Sequence, residues 1–238
     1  VLLICIRLTF LFYETVYKDT PDYSFFVITK AVETGDSTTF TSLVDDKEMA
    51  AQLFDAIVSN GNGMDSLSIL QFVWSPMRQE FVANSHALIE SRFQKDLPQE
   101  KKDEMQSLVT RQFKTMGCVI PIDGWHIADT HWASKIDDDH AKITVDAYNE
   151  TLGATIPCTF VMTRHSQGHW AITAIEDAEH FVQAIRNAWA AKLEAYNAPI
   201  QQEIQSIVTI GTPSAHLVET DDGRTFLRIT YRPVFSKD

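Results

Sequence analysis

Apolar residues recur at three- and four-residue spacing through the first 116 positions, and that period predicts helices. Phe25, Phe26, Ile28 and Val32 form one apolar face after Pro21, and Gly35-Asp36 breaks it. Phe40, Leu43 and Val44 resume the pattern as a second helical start. Asp45 or Asp46 then caps a helix that carries Ala50, Leu53, Phe54 and Ile57 on one side. SNGNG (59–63) reads as a loop. Residues 65–95 are again helical, with Leu70, Val73, Trp74, Met77, Phe81, Leu88 and Phe93 apolar. Pro76 should kink this helix or start a new one with Ser75 as its cap. Pro98 opens a helix whose face is Met105, Leu108, Val109, Gln112, Phe113 and Met116, and Gly117 ends it.

From Cys118 the period shortens towards two. VIPI (119–122), WHIADTHWASKI (125–136), AKITVDAY (141–148), TIPCTFVMTRH (155–165) and GHWAITAIED (168–177) read as strands. DDDH (137–140) and SQG (166–168) fit hairpin turns, so an antiparallel meander of about four strands is expected. Asp177 then begins a helix through Phe181, Val182, Ile185, Trp189, Leu193 and Tyr196. Pro199 interrupts it, and Ile200, Ile204, Ile207 and Val208 continue a helical period. The tail 209–235 reads as two or three strands around a DDG turn (221–223). Helices first, then an antiparallel sheet, then a helix and a small C-terminal β segment place the chain in the α+β class.

Composition narrows the function classes. The chain has 238 residues, 45% hydrophobic and 22% charged, which is globular usage. Its 32 acidic against 20 basic residues, a net charge of -12, argue against a nucleic-acid partner, and no basic stripe exists to grip phosphates. The opening VLLICIRLTFLFY is apolar with one charge, Arg7, and is shorter than the ~20 residues a spanning helix needs. It reads as part of a membrane anchor, with a signal segment or a core element as the alternatives. The polar ETVYKDTPDY (14–23) would then be a juxtamembrane linker. The expected division is anchor and linker over 1–20, an α+β domain over 21–198, and an appendix over 199–238 that resembles a truncated second β domain.

Two resemblances extend this outline. A turn glycine, one residue, a tryptophan and alternating apolar positions, here Gly168-His169-Trp170-Ala171-Ile172-Thr173-Ala174-Ile175, resemble the closing strand of the nuclear-transport-factor-like superfamily. That resemblance implies a curved, cone-like sheet wrapped against the N-terminal helices around a conical pocket. The chain also resembles bacterial membrane-anchored envelope proteins that carry a domain of unknown function. The residues concerned are Pro21-Asp22-Tyr23-Ser24, Ala31-Val32-Glu33-Thr34-Gly35-Asp36, Phe40-Thr41-Ser42-Leu43-Val44-Asp45 and Lys192 through Ile200. This second resemblance implies an extracytoplasmic location and a binding or envelope role, and brings no catalytic residues with it.

Candidate chemistry concentrates in Trp125-His126-Ile127-Ala128-Asp129-Thr130-His131-Trp132. On a regular strand His126 and His131 point to opposite sides, and only Asp129 and His131 share a face. No third ligand for a metal is predictable beside them. Asp137-Asp138-Asp139-His140 lacks the further oxygens, Gly and Glu of a calcium loop and reads as a solvated turn. His165 and His169 could meet across their hairpin, too few to hold zinc. Cys118 and Cys158 could pair in an oxidising compartment; the alternative is two buried thiols. Asn149-Glu150-Thr151 matches a glycosylation sequon. No nucleophile elbow, phosphate loop or zinc-protease motif occurs, and nine glycines leave little for a nucleotide cradle. The reading is a non-enzymatic, membrane-anchored extracytoplasmic domain that needs no cofactor or metal. It would bind a small apolar ligand or an envelope protein, with Tyr23, Trp125 and Trp132 lining the pocket. One alternative is a small hydrolase or isomerase of the cone-like fold, with Asp129, His131 and His126 facing into the cone. The other is a purely structural module of a larger envelope protein.

Overall fold

A computed structural model describes residues 18–59, 68–165, 169–210, 214–219, 225–230 and 233–235. The apolar opening with Cys5 and Arg7, the loop 60–63, the SQG turn and the DDG turn lie outside the described residues. The chain groups into two compact units, Val1–Ala188 and Trp189–Asp238. The division falls inside a helix, earlier than the boundary at residue 198 read from the sequence.

Among the described residues the first unit opens with three helices whose limits follow from their caps. Helix α1 (Pro21–Thr34) starts where the Thr20 hydroxyl accepts from the Tyr23 backbone N–H, with proline at its first position. It stops at Gly35, whose φ of 76° is the left-handed conformation that glycine adopts without strain. Asp36 caps α2 (Ser37–Leu43) by accepting from the Thr39 N–H at 3.1 Å, and Asp45 does the same for α3 (Asp46–Ser59) through Glu48. Helix α4 (Ser68–Phe93) continues through Pro76, so no new helix starts at Ser75. Trp74 and Met77 flank the proline and pack on the same apolar cluster, with Trp74 edge-on to Phe54 at 6.2 Å. Burial on both sides of Pro76 thus offsets the ~3 kcal/mol that an interior proline costs. Helix α5 (Gln99–Thr115) ends at Gly117 (φ 70°).

Helices α3, α4 and α5 enclose the first core, in which Phe54, Ile57, Phe81, Val109, Phe113 and Cys118 are buried. VIPI does not form a strand. Pro121 has no N–H to offer a ladder, and Ile120 and Ile122 pack on the helical core instead.

The sheet follows. Strands β1 (Trp125–Thr130) and β2 (Ser134–Lys135) lie end to end along one side of β3 (His140–Asn149). On the other side come β4 (Ala154–Arg164) and then β5 (Trp170–Ile175), every pairing antiparallel. This is the expected meander, and with the helices it makes the unit α+β. The register fixes two faces. Ala141, Ile143 and Val145 of β3 join Met162, Trp170 and Ile172 in the second core, against Phe25 and Ile28 of α1 and Leu43 and Val44. The intervening residues Lys142, Thr144, Asp146 and Tyr148 share the other face with Thr159 and Thr163 of β4, and on that face they are half-buried. Hydroxyl pairs Thr144–Thr159 (2.8 Å) and Thr163–Thr173 (2.9 Å) cross it.

Trp170 joins helix to sheet. It is fully buried, its backbone N–H donates to the Ser24 hydroxyl (3.1 Å), and its indole N–H donates to the Asp19 carbonyl (3.3 Å). Truncating a core side chain of this size costs about 3–5 kcal/mol. The β5 strand is also clipped to the helices by Asp45 N–H donating to the Ile172 carbonyl at 2.9 Å.

The second unit carries the later part of α6 (Ala178–Ile207). The helix continues through Pro199, where the sequence suggested an interruption; a helix can carry a proline by giving up one backbone hydrogen bond. Beyond it β6 (Val208–Ile210) pairs with β9 (Pro233–Phe235), and β7 (Ser214–Glu219) with β8 (Thr225–Thr230), both antiparallel.

The sequon asparagine has a structural task. Asn149 is fully buried: its amide N–H donates to the Asp123 carbonyl (2.9 Å), and its oxygen accepts from the Leu152 N–H (3.0 Å). It holds the β3–β4 turn and offers no acceptor nitrogen to a glycosylating enzyme in the folded protein. Asn149→Ala should cost about 2–3 kcal/mol, because two bonds go and buried partners are left unpaired. Urea unfolding checks this; a loss below about 0.5 kcal/mol would contradict the assignment.

Candidate functional site

One extra residue decides which side chains of β1 meet. Along β1–β3 the partners run Trp125–Asn149, His126–Tyr148, Ile127–Ala147, then Asp129–Asp146 and Thr130–Val145. Ala128 has no partner and forms a β-bulge, which reverses the alternation of sides beyond it. His126 and Asp129 therefore both face solvent with Tyr148 and Asp146. The His126 ring lies 5.0 Å from that of Tyr148. His131 joins them: its backbone N–H donates to the Thr144 carbonyl (2.9 Å), and its Nε2 sits 3.2 Å from Asp146 Oδ2. Regular alternation had placed His126 and His131 on opposite sides. The bulge corrects that, and one open face holds both histidines and Asp129.

Asp129, His131 and Asp146 each present a ligand atom within 4.8 Å of the other two. Asp129 Oδ1 accepts from the Thr130 N–H at 2.8 Å, which leaves its second oxygen available. Asp129 and His131 are exposed and Asp146 is half-buried. The sequence brought together the first two; Asp146 was missed because strand pairing, not spacing, supplies it. The group lies on the face opposite the second core, not in a cavity between helices and sheet.

The aromatic candidates do not converge. Tyr23 sits on α1, its ring 6.5 Å from Phe26. Trp125 stacks near Phe181 at 6.2 Å and donates its indole N–H to the Pro121 carbonyl. Trp132 projects from the loop after β1 and is 85% exposed. The pocket expected between sheet and helices is filled by Trp170, Met162 and Ile143, all fully buried.

Cys118 and Cys158 are separate free thiols, both buried. Cys118 belongs to the helical core, while burial on β4 pushes the Cys158 thiol up to about 12. The acidic turn closes on itself. Asp137 accepts from the backbone N–H groups of Asp139 and His140 and lies 2.9 Å from His140 Nδ1, and these bonds hold its carboxyl below the ordinary value. His165 and His169 are exposed and linked through backbone, His165 N–H to the His169 carbonyl.

A second cluster joins His86 and Glu90, four apart on one helix, to Asp46, which only long-range packing brings in. His86 of α4 places Nδ1 2.6 Å from Asp46 Oδ2 and Nε2 3.3 Å from Glu90 Oε1. It borders a cavity of about 630 Å3 lined by Asp45, Lys47, Glu48, Arg78 and Gln79 among others. Both ring nitrogens face carboxylates, so no nitrogen is left to activate a nucleophile. The cluster ties the start of α3 to α4, as the Arg78–Asp55 pair does further along (2.8 Å).

Cys158 provides a check on the burial. In folded protein at mildly alkaline pH it should resist alkylation, and it should react fully once denaturant exposes it, as read by peptide mass spectrometry. Ready modification of the folded chain would contradict the packing of β4.

No protein-family model, no curated protein and no solved structure matches this chain.

Proposed function

We propose that this protein is a non-enzymatic domain that binds a partner protein, held at a bacterial membrane by its N-terminal segment and working in the cell envelope. The observation that carries the binding role is the pairing of a filled interior with an apolar outer edge. The space a cone-like fold would offer a substrate is occupied by Trp170, Met162, Ile143 and Phe25. Ile127, Trp132 and Ile136 are instead at least half exposed along the edge formed by β1 and β2. Exposed aromatic and aliphatic anchors on a polar surface are what protein interfaces bury. An open edge strand also offers backbone groups to a partner.

The enzyme alternative is less well supported. Asp129, His131 and His126 stand on the solvent side of the sheet with no enclosing walls, and catalysis of hydrolysis or isomerisation relies on an enclosed, preorganised site. The envelope location rests on the apolar opening and on the resemblance to anchored envelope proteins. Among the described residues no helix is long and apolar enough to cross a membrane, and the opening itself lies outside them.

A photo-crosslinking amino acid at position 132, with position 32 on α1 as an exposed control, tests the binding role in cells. The expected result is a discrete protein adduct from position 132 that Ile127→Asp abolishes. Equal adducts from both positions, or none, would contradict it. For the location, the full chain should sediment with membranes and be digested by protease added to spheroplasts; a chain found in the soluble fraction would contradict the anchor.

A further inference from the structure

We propose that Asp129, His131 and Asp146 form a binding site for a divalent transition-metal ion of the zinc type on the open face of the sheet. The three donor atoms lie within 4.8 Å of one another. A zinc ion holds nitrogen and oxygen ligands at about 2.0–2.2 Å, so neighbouring donors in a tetrahedron are roughly 3.3 Å apart. The 3.2 Å between His131 Nε2 and Asp146 Oδ2 already fits that edge. Asp129 presents an oxygen within 4.8 Å of both other donors, and closing the third corner requires it to draw nearer. Three protein ligands leave the remaining position to water or to a donor from another molecule.

The alternative is an ordinary surface pair, His131 with Asp146. It leaves Asp129 unexplained. The Ala128 bulge sets Asp129 directly across from Asp146, and like charges in directly opposed positions destabilise a sheet. Among the described residues no Lys or Arg forms an ion pair with either aspartate: Lys142 bonds Glu176, Arg164 bonds Asp19 and Arg92 bonds Asp123. A divalent cation between the two carboxylates removes the repulsion and uses the imidazole as the donor that prefers zinc, nickel or cobalt. Calcium and magnesium, which take oxygen ligands, fit less well. The scaffold is held without the metal, since β1 is laddered to β3 and Thr144 fixes the His131 backbone. His126 shares the face and stacks on Tyr148, outside the ligand set.

Calorimetric titration of the full chain with zinc chloride tests this, with calcium chloride as the comparison. One equivalent of zinc should bind, and calcium should bind much more weakly. Asp146→Asn and His131→Ala should each weaken zinc binding by at least about tenfold, whereas His126→Ala should leave it unchanged. Circular dichroism checks that the variants fold. Should any fail, zinc-induced shifts of the His131 ring protons in the unaltered chain, without shifts at His126, give the same answer. No zinc binding, binding that survives both ligand changes, or binding lost with His126 would each overturn the site.

Discussion

The sheet of the first unit is buried on one face only, and the rest of the unit is arranged around that constraint. Successive side chains alternate sides, so burying Ala141, Ile143 and Val145 commits Lys142, Thr144 and Asp146 to the opposite, half-buried face. A slip of one residue between β3 and β4 would bury Asp146 and expose Ile143. Trp170 locks the choice: its indole fills the space under α1, and its two N–H groups donate to Ser24 of α1 and to Asp19 just before it. That packing occupies the space that a conical pocket would need under α1.

The outside differs in character along the sheet. Over β3, β4 and β5 it is paved by threonine hydroxyl pairs and the Lys142–Glu176 ion pair, a surface that satisfies itself. Towards β1 it changes. The bulge at Ala128 turns what would be a regular edge into one with two histidines and two aspartates on a single side. Ile127, Trp132 and Ile136 are left exposed along the same edge. Bulges re-aim side chains and concentrate near functional sites, which is why the edge and not the core carries the functional reading.

Much of this was legible in the chain because it follows from local periodicity. The three- and four-residue spacing places α1, α2, α3 and α5, with Asp45 or Asp46 as the cap of α3, and alternation places β3, β4 and β5. The failures share a cause, which is that long-range packing overrode a local rule. VIPI has strand-like residues, but its two isoleucines reach the helical core. Pro76 offers a start for a new helix, but α4 continues through it, with Trp74 and Met77 holding both sides to one cluster. Asn149 matches a sequon and is a buried turn tie, because its partners, Asp123 and Leu152, are invisible to a three-residue motif. Asp146 and Asp46 are brought to their partners by strand and helix pairing, which no spacing along the chain announces. The bulge was the costliest omission: one unpaired alanine reverses the facing of every residue that follows it in β1.

The register of β1 against β3 is therefore the feature to measure, by cross-strand nuclear Overhauser contacts between backbone protons. The account predicts contacts pairing Ile127 with Ala147 and Asp129 with Asp146, and none from Ala128 to a directly opposed residue. An unbroken register, with Asp129 opposite Val145 and Ala128 opposite Asp146, would contradict it. Asp129 would then face the core side, and the shared polar face would not exist.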